Sequence, residues 1–169
     1  PSGEVTNLPL LEKIASTGKK VLISSGMSSY SEINAAIKVF INSNCKDIVV
    51  LQCTSEYPCP PEKSGLNVID IFKSNDDIRV GFSDHTLGSE IAIAALVKGC
   101  EVIEKHFTLS KKMYGSDAKN SMNPREFKNF VRSIRNVELA LSNDIDKDNF
   151  TDYILNMKAT FEKSIVSST

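Results

Sequence analysis

Two histidines, His85 and His106, are the only ones in this 169-residue chain, and they stand in similar sequence settings. Each follows a short run rich in β-formers, residues 79–82 and 101–104, and about one βαβ unit separates them. Because the carboxyl ends of parallel strands share one edge, both imidazoles are expected at a common spot. Two neutral imidazoles can hold a divalent cation and leave positions open for Lewis-acid catalysis. A hydrogen-bonded structural role for each histidine is the alternative.

Further polar side chains follow the predicted strand ends and converge on the same face: Ser24, Ser25, Thr54, Tyr57, Ser83, Asp84, Lys105 and Asp117. Hydroxyls at Ser2, Ser24 and Ser83 can cradle a phosphate together with loop N–H groups, or they can cap backbone groups. Asp84 and Glu104 stand beside the histidines, so we expect these carboxylates to orient imidazole N–H groups.

Three more side chains have two interpretations each. Because side chains alternate along a strand, Lys105 is expected to face away from Glu104 and His106. It is then either part of the site or a lysine in solvent or an ion pair. Tyr57 can bind a polyol or pack within its proline-rich loop, and Asp117 can bind sugar hydroxyls or remain an exposed loop aspartate.

The elements that position these residues repeat as strand, loop and helix. The predicted strands are residues 20–24, 47–52, 79–82 and 101–105, and the helices after them begin near Ser29, Leu66, Ser89 and Asn123. Four such units, with a period of roughly 25 to 30 residues, imply an α/β fold with a parallel sheet and right-handed crossovers. A doubly wound sheet and half of a (β/α)8 barrel, which would leave two bare strand edges, both satisfy this pattern.

Composition excludes several classes of protein. Twenty basic and 21 acidic residues give a formal charge of −1, which argues against nucleic acid or a polybasic membrane surface as partner. No apolar run reaches the roughly 18 residues of a membrane span, so the chain is interpreted as cytoplasmic. The four cysteines form no C-x-x-C pair, which favours buried free thiols over a zinc ribbon or a redox dithiol.

Six segments, colinear over most of the chain, carry a resemblance to a known family: PSGEVTNLPLL, VLISSGM, VLQCTSEYP, GFSDHTLG, VIEKHFTL, and Asp117 followed by NPREF. Together they resemble the sialic acid synthases, that is, N-acetylneuraminate synthases and the related legionaminic, pseudaminic and spore-coat sugar synthases. SDHT and EKHFT at this spacing are highly specific. The resemblance implies a (β/α)8 TIM-type barrel whose last four β/α units lie in residues 1–142.

The resemblance also implies an activity. Members condense phosphoenolpyruvate with an open-chain N-acetylhexosamine, such as N-acetylmannosamine, to a nine-carbon 2-keto sugar acid and release phosphate. A divalent metal, manganese or magnesium, activates the aldehyde. By position, His85 and His106 match the catalytic metal ligands. Contacts to phosphoenolpyruvate match Ser2, Ser24 and Ser83, and contacts to the amino sugar match Glu4, Tyr57 and Asp117.

The resemblance places further parts outside this sequence. These are the first barrel half, a phosphate-binding lysine upstream of Pro1, and an antifreeze-like domain that closes the site across a homodimer. Residues 143–169 are then a linker toward that domain, with its entrance at 163–166. Ala118 stands where the family commonly has histidine.

Two other interpretations of the chain stay open. One is a metal-dependent sugar isomerase. The other is a non-catalytic half-barrel, inactive alone, that self-associates through its open strand edges.

Overall fold

Four parallel strands form the sheet of this protein, and the computed structural model describes residues 1–163. They are β1 (Val21–Ser24), β2 (Ile48–Cys53), β3 (Arg79–Asp84) and β4 (Val102–Lys105), and they lie in the order β1-β2-β3-β4. A doubly wound sheet reverses its strand order at a switch point, whereas a barrel adds each strand beside the previous one. The observed order is that of a half-barrel, which confirms the α/β barrel prediction.

Six α-helices accompany the sheet within residues 1–163. They are α1 (Leu8–Ala15), α2 (Tyr30–Asn42), α3 (Leu66–Lys73), α4 (Glu90–Val97), α5 (Pro124–Leu141) and α6 (Asp152–Phe161). In the part of the chain that is described, no helix is long and apolar enough to span a membrane. The helices α2 to α5 lie where the sequence predicts them, after successive strands.

Two helices begin with a complete capping box. The Ser29 side chain accepts from the Glu32 N–H at the start of α2, and the Glu32 carboxylate accepts from the Ser29 N–H. Asn123 and Glu126 make the same reciprocal pair at the start of α5. Each box satisfies N–H groups that a helix start otherwise leaves without partners.

The main core lies between the sheet and the helices. Its largest buried members include Phe40, Ile48, Ile69 and Phe82, each at most 2% exposed. All six residues of β2 are buried, as expected for a strand covered on both faces.

Atoms of the neighbouring strands approach the backbone of β3 closely at Gly81. A Cβ atom there would lie 2.3 Å from Leu51 Cδ2 and 2.6 Å from the Val102 carbonyl oxygen. Only glycine therefore permits this approach of β2, β3 and β4.

The segment after α5, which the sequence predicts to be a linker, contains α6. Thr151 caps this helix by accepting from the Ile154 N–H. None of the described side chains of α6 is buried, so this helix lies outside the core. Residues 164–166 of the predicted domain entrance lie outside the described residues, and the division at residue 142 stays a prediction.

Candidate active site

The structure brings the two histidines together at the carboxyl ends of β3 and β4. Their ring centroids lie 5.0 Å apart in an edge-to-face arrangement. The Tyr57 ring packs against both, with its centroid 4.2 Å from that of His85 and 5.4 Å from that of His106. The three rings, from the loops after β2, β3 and β4, form one cluster, and we refer to the surface around this cluster as the cleft.

A backbone carbonyl orients His85. Its Nδ1 atom lies 2.7 Å from the Thr54 carbonyl oxygen, which can only accept, so Nδ1 carries the proton and donates. Burial lowers the pKa of His85. The nearby His106 lowers this pKa further, whereas the hydrogen bond to the Thr54 carbonyl raises it. The imidazole is therefore neutral near pH 7, with the lone pair of Nε2 free for a ligand.

His106 is held mainly through its backbone. Its carbonyl accepts from the Met122 N–H at 2.9 Å, and the Thr108 N–H donates to the Met122 carbonyl at 2.9 Å. These bonds attach the end of the loop of residues 108–122 to the end of β4, so Asp117, within this loop, lies near His106. Asp117 Oδ2 lies 3.8 Å from His106 Nδ1, too far for a hydrogen bond.

Ser83 and Glu104 lie side by side on the cleft face of β3 and β4. Ser83 Oγ donates to Glu104 Oε1 at 2.6 Å and lies 3.4 Å from His85 Nε2. The expected contacts of carboxylates to imidazoles are therefore wrong: Glu104 accepts from Ser83, while Asp84 faces Lys105 and Thr86. The Thr54 carbonyl orients His85 instead, and residue type alone could not predict this contact.

Two of the predicted phosphate-binding serines, Ser2 and Ser24, lie around the carboxyl end of β1, whereas Ser83 lies on β3. Ser24 is the last residue of β1 and is half-buried. A Cβ atom on Gly26 would lie 2.4 Å from Ser55 Oγ, 3.0 Å from Cys53 Sγ and 3.4 Å from Ser2 Oγ. Ser2 thus lies close to the end of β1. Ser55 lies there too, although the sequence did not predict it as a site residue.

Ser25 and Glu4 make hydrogen bonds away from the two histidines. Ser25 Oγ donates to Gln52 Oε1 and accepts from the Cys53 N–H, so it ties β1 to β2. Glu4 accepts from Asn7 at 2.7 Å and lines a small cavity beside Leu22. Within residues 1–163, no hydrogen bond or ion pair joins Glu4 to the histidine cleft.

The cysteines match their prediction. All four are free and buried. Burial raises the pKa of Cys100 to about 11 and raises the pKa of Cys53, whose Sγ lies 3.9 Å from His85 Nδ1. Thiols with raised pKa are poor nucleophiles, so Cys53 is a packing residue of the site.

The donor set fits a divalent cation in an open site. His85 presents Nε2 as an acceptor because Thr54 fixes its tautomer, and His106 stands beside it. Between residues 1 and 163, no cluster of three or more His, Cys, Asp or Glu side chains is arranged to hold a metal. An ion bound by these imidazoles would thus take its other ligands from substrate, water or other parts of the protein.

Comparison with known proteins places this site in a family. The NeuB family model matches residues 1–146. The chain is 51% identical over 140 residues to an uncharacterized protein of Methanocaldococcus jannaschii, covering 83% of the chain and 42% of that protein. It is 44% identical over 149 residues to the N,N'-diacetyllegionaminic acid synthase of Campylobacter jejuni, covering 87% of the chain and 45% of that enzyme.

A solved structure agrees with these relatives. The N-acetylneuraminic acid (sialic acid) synthetase of Leptospira borgpetersenii matches with a TM-score of 0.81 and 28% identity, over 96% of this chain and 57% of that one. The chain spans less than half the length of the two curated relatives described above. Since the family model covers residues 1–146, the chain belongs to the NeuB family, whose members include the sialic acid and legionaminic acid synthases that its motifs resemble.

Proposed function

We propose that this chain is the metal-binding half of a synthase. The enzyme condenses phosphoenolpyruvate with an open-chain N-acetylhexosamine of the N-acetylmannosamine type, giving a nine-carbon, sialic-acid-like 2-keto sugar acid and free phosphate. The observation that carries the proposal is the pair of imidazoles at adjacent strand ends, one of them locked as a neutral ligand by the Thr54 carbonyl. Names of the relatives support the reaction class.

The reaction balances without an external oxidant or reductant. The C2=C3 π electrons of phosphoenolpyruvate form the bond from C3 to the aldehyde carbon, and water adds at C2. The C2–O bond to phosphorus then breaks and releases phosphate, while the two protons of the water go to the former aldehyde oxygen and to the phosphate. Manganese or magnesium, bound by His85 and His106, would polarise the aldehyde oxygen. Tyr57 and Asp117, at the cleft, and Glu4 are proposed to bind the amino sugar.

The serines are proposed to bind phosphoenolpyruvate. Ser2, Ser24 and Ser83 lie near the carboxyl ends of the strands, where substrate phosphates bind in such folds. A serine hydroxyl donates only one hydrogen bond, and that of Ser83 goes to Glu104. We therefore expect Ser83 to turn from Glu104 when it donates to substrate.

A double variant, His85→Ala with His106→Ala, tests the proposal in the full-length enzyme. Loss of a Lewis acid worth several kcal/mol predicts a fall in phosphate release on the order of 10³-fold, measured with phosphoenolpyruvate, N-acetylmannosamine and Mn²⁺. Tyr153→Ala, on the exposed surface of α6, is the control and should retain activity. Full activity of the double variant would overturn the proposal. Isomerisation of the sugar without any use of phosphoenolpyruvate would instead favour a sugar isomerase.

A second candidate concerns the isolated chain. β1 and β4 are the outer strands of the described sheet, and Leu22 of β1 is 46% exposed. We propose that residues 1–169 alone are catalytically inactive and self-associate through these edges, whereas the full-length enzyme is a homodimer. A stable monomer at micromolar concentration, measured by light scattering, would contradict self-association.

A further inference from the structure

A buried ion pair joins the two strand ends directly before the histidines. Asp84 is the last residue of β3, Lys105 is the last residue of β4, and the two are register partners. Lys105 Nζ lies 2.7 Å from Asp84 Oδ2, and the side chains are 3% and 0% exposed. His85 and His106 are the next residues along the chain.

The same pair holds the backbone of Thr86, directly after His85. Asp84 Oδ1 accepts from the N–H of Thr86 at 2.8 Å and from its hydroxyl at 2.7 Å. Lys105 Nζ donates to the Thr86 carbonyl oxygen. Because His85 lies between Asp84 and Thr86, one ammonium group on β4 fixes the turn that presents His85.

The pair does not reach the cleft itself. Side chains alternate along a strand, so Asp84 and Lys105 point away from the face that carries Ser83 and Glu104. Lys105 borders a cavity lined also by Met122 and Phe130, between the sheet and α5. A group on this face acts on the site only through the residues that it positions.

Stability alone gives no reason for such a pair. Desolvation of two charges largely offsets their attraction, and apolar replacements of similar volume are often neutral or stabilising. Groups behind metal ligands, in contrast, commonly set ligand orientation, and their loss lowers metal affinity about 10- to 100-fold.

We propose that the Asp84–Lys105 pair is a positioning device that sets His85 and His106 relative to one another, and so sets the affinity of the site for a divalent cation. The inference rests on the proposed function, in which these imidazoles bind the ion. It adds two residues that touch neither substrate nor ion.

The test replaces both charges together with apolar groups, Asp84→Leu with Lys105→Met. The matched control is Asp70→Leu with Lys98→Met, which removes an exposed ion pair of 2.6 Å between α3 and α4. Long-range ¹H–¹⁵N spectra of the metal-free chain report the tautomers directly, since its only histidines are His85 and His106. Mn²⁺ affinity of the full-length enzyme and its variants is measured by electron paramagnetic resonance.

We expect the wild type to show His85 as the Nδ1–H tautomer, and the double variant to lose this preference. Its Mn²⁺ affinity should fall about 10- to 100-fold, while the control changes neither readout. If the double variant does not melt cooperatively, Thr86→Val replaces it, with a smaller shift of both readouts in the same direction.

Unchanged imidazole spectra and Mn²⁺ affinity in a cooperatively folded variant would overturn the positioning role. A wild type that binds no Mn²⁺ would overturn the metal site of the proposed function. The imidazole spectra would still decide between a positioning role and a purely structural role for the pair.

Discussion

The surroundings of His85 fix both its orientation and its protonation. The Thr54 carbonyl fixes the proton on Nδ1, burial keeps the ring neutral, and the Cys59 N–H donates to the His85 carbonyl at 2.9 Å. Tyr57 then covers the imidazole, with ring centroids 4.2 Å apart. The ring of Tyr57 and its hydroxyl can therefore have separate roles, the first in packing and the second in binding.

Tyr57→Phe separates these roles. Burial raises the pKa of Tyr57, aided by nearby Cys53 and Asp117, so its hydroxyl stays protonated at neutral pH and can donate. Loss of one neutral hydrogen bond, worth about 1 kcal/mol, predicts a KM for the amino sugar about fivefold higher with little change in kcat. Steady-state kinetics of the full-length enzyme measure both. Tyr114→Phe, in a fully exposed loop position, is the control. An unchanged KM would assign Tyr57 to packing alone.

The sequence predicts the residues of the cleft better than their hydrogen bonds. Spacing after successive strands placed His85 and His106 together, and alternation placed Lys105 on the opposite face from Glu104. The carbonyl that orients His85 was beyond prediction because every residue has one, and only the path of the loop selects which is used. The Asp84 interaction with Lys105 likewise depends on register, which residue types leave open.

Among the elements, those with a buried face were predictable. β2 is an unbroken apolar run, and the starts of α2 and α5 carry capping boxes that are readable from residue type. α6 was missed because all of its described side chains lie outside the core. The loop of residues 108–122 lies between β4 and α5. Its bridge between Phe107 and Met122, which brings Asp117 to the cleft, is a contact between residues distant in sequence.

The cap of α5 anchors that loop, and Asn123→Ala tests it. Asn123 Oδ1 accepts from the N–H groups of Arg125 and Glu126, both at 3.0 Å, one residue after the bridge at Met122. Removal of such a cap costs about 1 kcal/mol of the free energy of unfolding, measured by urea denaturation followed by circular dichroism. The same substitution at Asn136, on the exposed surface of α5, should cost nothing and slightly favour the helix. Equal effects at the two positions would show that the cap is unimportant.

At the scale of the whole molecule, strand order decides what periodicity left open. Four parallel strands in sequence order make half of a closed barrel, and their outer edges belong to β1 and β4. Both outer strands have four residues, Val21–Ser24 and Val102–Lys105. A two-fold axis along the strand direction keeps all strands parallel, so two copies can pair β1 with β4 twice and form an eight-stranded barrel.

Leu22→Asp tests this association in the isolated chain. Leu22 is 46% exposed on an outer strand, and a carboxylate there would have to lose its water when β1 pairs with a second copy. We expect the wild type to be a dimer at micromolar concentration by light scattering, and the variant to shift toward monomer. Leu139→Asp, at a position 65% exposed on α5, adds the same charge away from the edge and should leave the dimer intact. If Leu22→Asp leaves the dimer unchanged, association uses another surface, and the outer strands remain unpaired in the isolated chain.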